Sequence, residues 1–141
     1  MNRHRAFGAA ATLAVLVALL LGFLNLGGRG RQRDLRTDEQ RSNDLNRIAS
    51  TIDLWYARDK KLPSDLTAIS IYQPGLRVRD PITQAAYEYK PTGDTQYDLC
   101  ATFAAGVTTA SLGRYPVSTF NSHSAGRQCF SLDALRPLAY P

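Results

Sequence analysis

The chain has 141 residues, 44% of them hydrophobic, and a formal net charge of +5. That length holds one compact domain plus a short extra element. The placement of the basic excess argues against a nucleic-acid surface: Arg3, Arg5, Arg29, Arg31 and Arg33 flank one apolar run, and from Asp34 onward the basic and acidic residues balance.

Residues 1–5 are expected to form a short cytoplasmic tail. Ala6 to Leu26 carries no charge and no proline and consists mainly of Ala, Leu, Val and Phe. At about 1.5 Å rise per residue it makes a helix about 31 Å long, which matches a hydrocarbon core of about 30 Å. It shows no polar face, so it reads as a transmembrane helix and not as a buried helix of a small soluble domain. A secretory signal is the rival reading, because small residues are available for cleavage around Gly27 and Gly28. Arginine counts on the two flanks slightly favour the wrong side. The short N-terminal tail and two cysteines in the domain favour a cytoplasmic N-terminus and an extracytoplasmic domain at the cell membrane.

Gly27, Gly28 and Gly30 predict a break, so 27–33 reads as a Gly/Arg linker. An amphipathic helix is expected from about Asp34 to Lys61. Leu45, Ile48, Ala49, Ile52, Trp55 and Tyr56 recur at steps of three and four and form one stripe. Thr37 with Gln40 fits a capping box, Asp38 and Glu39 suit a first turn, and Lys60 and Lys61 suit a last turn before Pro63. The stripe of Leu45, Ile48, Ile52 and Trp55 is expected to pack on the domain's own sheet; the alternative is a face for self-association.

Leu62 to Leu66 reads as an N-capped helical turn ending near Ile69. Ser70 to Arg79 reads as irregular, with a turn at Pro74-Gly75, and Asp80-Pro81 opens another. Tyr87 and Tyr89 alternate before Pro91-Thr92-Gly93-Asp94; Tyr97, Leu99, Ala101 and Phe103 alternate after it, which predicts a hairpin. Ala104 to Arg127 reads as a long loop with a short strand near Arg114 to Thr119. Gln128 to Leu132 is the expected last strand, followed by an irregular tail. The fold class is therefore α+β: a transmembrane helix, then residues 34–141 as an amphipathic helix packed on a small antiparallel sheet.

Cys100 and Cys129 both fall in predicted strands. If those strands are neighbours, a disulfide closes between them; two buried free thiols are the alternative. The histidines are His4 and His123. With two cysteines and His123 a zinc site still lacks a fourth ligand, so no metal or other cofactor is expected. His123 is expected in the loop, bonded to backbone. No nucleophile elbow, carboxylate pair or phosphate-cradling loop stands out, and Asp80 reads as a turn residue.

The order of these elements, with Leu62-Pro63 and Leu66, Asp80-Pro81, Tyr87-x-Tyr89 and the Tyr97 strand, resembles type II secretion pseudopilins and type IV pilins. The pattern Tyr97-x-Leu99-Cys100-Ala101-x-Phe103, with His123-x-x-Gly126-x-x-Cys129-Phe130, also looks like a group of uncharacterised membrane-anchored bacterial proteins. The resemblance implies a pilin-like domain in which a long helix packs on an antiparallel sheet. The prepilin leader pattern departs here: Gly8 is followed by Ala9, Leu13 stands where those proteins carry Glu, and the glycine break interrupts a pilin-type helix.

The expected function is therefore non-enzymatic: a single-pass membrane-anchored protein with an extracytoplasmic structural or protein-interaction domain. The alternatives are a minor component of a secretion or pilus assembly, and a secreted domain with a cleaved signal peptide. Expected partners are the lipid bilayer and a protein, with no nucleic acid. Self-association through the membrane helix or the amphipathic helix is the further expectation.

Overall fold

The computed structural model describes residues 12–22, 28–107 and 119–136. It divides into two compact units, Met1–Arg33 and Asp34–Pro141. In the first, residues 12–22 form helix α1, and its apolar side chains are exposed, Leu13, Leu19 and Leu20 among them. Among the described residues no helix is long and apolar enough to cross a membrane. The remainder of the 6–26 run lies outside the described residues.

Helix α2 runs Gly28–Asp59, six residues earlier than expected. Gly28 and Gly30, expected in a linker, are helical, and Gly27 lies outside the described residues. An interior glycine costs only about 1 kcal/mol relative to alanine. The arginines, Gln32 and Leu35 that follow are good helix formers and offset it. Thr37 is consequently an interior residue and not an N-cap, and Asp38 and Glu39 lie beyond the first turn. The C-terminus also moves: the last turn carries Arg58, and Lys60 adopts a left-handed φ of 55° while its N–H donates to the Tyr56 carbonyl at 2.9 Å. That single left-handed residue ends the helix ahead of Pro63.

Helix α3 is Leu66–Tyr72, longer than the expected turn, with Asp65 as its N-cap accepting from the Ala68 N–H. Leu66 and Ile69 are its buried residues. Pro74-Gly75 makes the expected turn: Gly75 sits at φ +90°, and the Leu76 N–H donates to the Gln73 carbonyl at 3.1 Å.

Strands β1 (Glu88–Pro91), β2 (Gln96–Phe103) and β3 (Gly126–Asp133) form one antiparallel sheet in the order β1-β2-β3. The predicted hairpin is β1–β2, although Pro91 closes β1, paired with Tyr97, and does not begin the turn. β2 alternates as expected: Tyr97, Leu99, Ala101 and Phe103 are buried, while Gln96 and Thr102 are exposed. Cys100 is buried too, on the opposite face.

The core closes as helix on sheet. Leu45, Ile48, Ala49 and Ile52 of α2 are fully buried and belong to one cluster with Leu66, Ile69, Tyr87, Tyr97, Leu99, Phe103 and Phe120. Trp55 and Tyr56 are only partly buried and pack against its edge. Trp55 meets Tyr72 edge-on at 5.5 Å, with the Arg58 guanidinium over both rings. The expected strand near Arg114 lies outside the described residues; the nearby described elements are the 3-10 turn Thr119–Asn121 and a bridge between Val107 and His123.

Candidate functional site

The stripe that buries Leu45, Ile48 and Ile52 does not stop where its apolar residues stop. Continued toward the N-terminus at the same spacing it reaches Ser42, Arg41 and Asp38, all buried. A helix face buried there must satisfy every charge it carries, and the surrounding loops do so.

Arg41 is the centre. Its Nη1 donates to Asp38 Oδ1 at 2.7 Å, one turn earlier on the same helix. Its Nε donates to Asp80 Oδ2, and its Nη2 reaches Asp80 Oδ1 at 3.3 Å, a forked grip on one carboxylate. Each carboxylate is also fixed by backbone. Asp38 accepts from the N–H groups of Ala104 and Ala105, at 2.9 and 2.7 Å, just beyond the end of β2. Asp80 Oδ1 accepts from the N–H groups of Ile82 and Thr83, both at 2.8 Å, which folds the Asp80-Pro81 turn around the side chain. The cluster therefore clamps three separate segments: α2, the 80–86 turn and the exit of β2. Ser42 adds a fourth by donating to the Phe120 carbonyl at 2.9 Å.

Beside it, Asp44 is buried and accepts from the Tyr87 hydroxyl at 3.1 Å, with Arg77 Nη1 at 3.6 Å. Burial pushes the Asp44 carboxyl up from its ordinary range, against the Tyr87 hydrogen bond and the Arg77 charge that pull it down. Burial likewise raises the Tyr87 hydroxyl, reinforced by Asp44. Burial alone lifts Tyr89 to about 12, and its hydroxyl donates to the Pro63 carbonyl at 3.0 Å.

Asp80 goes the other way. Burial opposes its ionisation, but the Arg41 bond and the two backbone N–H groups overcome that and hold it at about 2. It stays ionised near neutrality with both oxygens engaged, the chemistry of a clamp and not of a proton carrier. The sign of the linkage follows: a depressed folded-state value adds stability above the unfolded value near 4, and that stability is lost as pH falls toward 2. We expect about 2 kcal/mol of stability to disappear across that window. Urea midpoints of Asp80→Asn, already low at pH 7, should fall less than wild type on acidification to pH 3.

A half-open cavity of about 340 Å³ adjoins this cluster, lined by Arg41, Asp80, Thr83, Tyr87, Glu88 and Cys100 among others. Cys100 and Cys129 face each other directly across β2 and β3 and are joined by a disulfide. His123 forms a β-bridge with Val107, the two residues exchanging main-chain hydrogen bonds at 2.8 and 2.9 Å. Its ring is buried, stacks on Phe103 at 3.7 Å, and leaves Nδ1 without a partner. Burial lowers its pKa, opposed by Asp38 and by the Ser124 and Ala105 backbone. The disulfide and His123 do not converge on a metal geometry, and among the described residues no group of three or more His, Cys, Asp or Glu could hold a metal ion.

Leu45, Ile48, Ile52 and Trp55 are brought together as one helix face, and the two cysteines as one bond. The Asp38–Arg41–Asp80 clamp was not legible as a site in the sequence. Its only signal was the continuation of the helical spacing into charged residues, together with the Asp80-Pro81 turn. No protein-family model, curated protein or solved structure matches the chain.

Proposed function

We propose that this is a membrane-tethered protein whose helix-on-sheet domain, pilin-like in arrangement, lies outside the cytoplasm and serves a structural or protein-interaction role without catalysis. The observation that carries the reading is the pairing of a charge-free apolar run, Ala6 to Leu26, with a domain closed by a cross-strand disulfide. Disulfides persist in oxidising compartments, and a chain that reaches one through such a run is held at the bilayer by it. The non-catalytic reading is supported by the way the buried charges are used: Arg41, Asp38 and Asp80 are committed to one another and to backbone.

A minor component of a secretion or pilus assembly is the second reading. The helical state of Gly28 and Gly30 is the observation on its side. The missing acid in the apolar run weighs against it.

Carbonate extraction of membranes tests the anchor. The full-length chain should remain in the pellet after washing at high pH. A soluble product beginning near Gly28 would replace the anchor with a cleaved signal.

A further inference from the structure

The two sulfurs of the disulfide do not share one environment. Cys100 is 5% exposed, whereas Cys129 is exposed on the outer face of the sheet. Cys100 lies on the central strand β2 and Cys129 on the edge strand β3, and a side-chain pair lies beside the first. Glu88 on β1 and Arg127 on β3 reach across β2 toward each other, and Arg127 Nε and Nη2 donate to the two Glu88 carboxylate oxygens at 2.9 and 2.7 Å. Glu88 is the β1 partner of Cys100, and Arg127 is paired with Thr102, two residues along β2. The ion pair thus bridges over Cys100, and Arg127 Nη2 lies 3.6 Å from Cys100 Sγ. Cys129, on the edge strand β3, is exposed.

We propose that this bond is a thiol-exchange site, opened by the thiolate of a protein or peptide dithiol at Cys129 Sγ, with Cys100 as the leaving group. The attacking thiolate forms a new S–S bond to Cys129 as the Cys129–Cys100 bond breaks. The bonding pair leaves on Cys100 Sγ, where the guanidinium of Arg127 faces the new negative charge. The second thiolate of the reductant then attacks the reductant's own sulfur in the mixed disulfide and releases Cys129. The dithiol is oxidised by two electrons to a disulfide, its two protons pass to Cys100 and Cys129, and this chain is reduced to two thiols.

Two general rules give the direction. Exchange requires access to the sulfur attacked, and a thiolate that is better stabilised leaves faster. Access selects Cys129 and stabilisation selects Cys100 as the leaving sulfur. The Glu88 carboxylate works against the second effect, since it shares Arg127; the guanidinium nonetheless is the group that touches sulfur. Opening the bond leaves the eight-residue β2–β3 register available to hold the strands together, so the site can cycle without dismantling the sheet. The inference does not depend on whether the chain spans a membrane.

The test uses the oxidised full-length chain in detergent at neutral pH, with glutathione as the probe. Samples quenched early in acid, alkylated and mapped by mass spectrometry should carry glutathione on Cys129 and the alkylating group on Cys100. Arg127→Gln should slow formation of the Cys129 adduct several-fold with an unchanged unfolding midpoint, and Arg127→Lys should restore most of the rate. Adducts on Cys100, or evenly on both, would overturn the proposal. So would an adduct that forms only as fast as the chain globally unfolds, or a rate indifferent to the charge at residue 127.

Discussion

Replacing Arg41 with methionine is expected to destabilise the domain by about 3–5 kcal/mol, a large share of the 5–15 kcal/mol typical of a domain. The loss does not measure the worth of an ion pair. Asp38 and Asp80 are 1% and 6% exposed, and without the guanidinium they remain as two buried carboxylates that have lost their shared partner. Backbone N–H groups still bind each of them, but no positive charge balances them. A second variant separates the two explanations. Combining Arg41→Met with Asp38→Asn and Asp80→Asn removes the orphaned charges together with their partner. The triple variant should recover part of the loss, because a neutral cluster no longer carries the desolvation of unpaired ions. Urea unfolding of wild type, Arg41→Met, the two single asparagine variants and the triple variant checks this. A triple variant less stable than Arg41→Met by the sum of separate asparagine effects would show that the carboxylates act independently of Arg41.

Truncating Ile52 to alanine is the second large effect, about 2–5 kcal/mol. Ile52 is fully buried in the core cluster that also holds Leu99 and Ile69, so the deleted carbons leave space that the surrounding side chains fill only in part. Leu54, on the same helix but 62% exposed, supplies the control. Its alanine variant should stay within about 0.5 kcal/mol of wild type. Thermal unfolding and sedimentation of both variants distinguish a core from an interface. An unshifted melt with lost self-association in Ile52→Ala would make the stripe a contact between chains.

The parts of the fold that were legible in the sequence are those in which burial and polarity coincide. Leu45, Ile48 and Ile52 announce a buried helix face because they are apolar at helical spacing, and Tyr97, Leu99, Ala101 and Phe103 announce a strand because they alternate. The antiparallel neighbourhood of β2 and β3 then brings Cys100 to Cys129. The helix start was misread for a complementary reason. A glycine such as Gly30 carries a local penalty of about 1 kcal/mol, which is visible, while the propagation of a long helix is not. Trp55 shows a limit of periodicity: it falls on the stripe, yet the stripe runs out at the domain edge, where the ring meets Tyr72 and Arg58. The Arg41 clamp was hidden because charged residues on a helix ordinarily mark its solvent face. Nothing local in the sequence says that the amides of Ala104 and Ala105 will arrive at Asp38.

The proposed extracytoplasmic position of a membrane-tethered domain is the claim most directly open to test. Spheroplasts expressing the full-length chain with an epitope after Pro141 can be treated with protease before and after lysis. An extracytoplasmic domain held by Ala6 to Leu26 predicts loss of the epitope from intact spheroplasts, while the anchored remainder stays with the membrane. An epitope protected until the spheroplasts are lysed would place the domain in the cytoplasm and contradict the account.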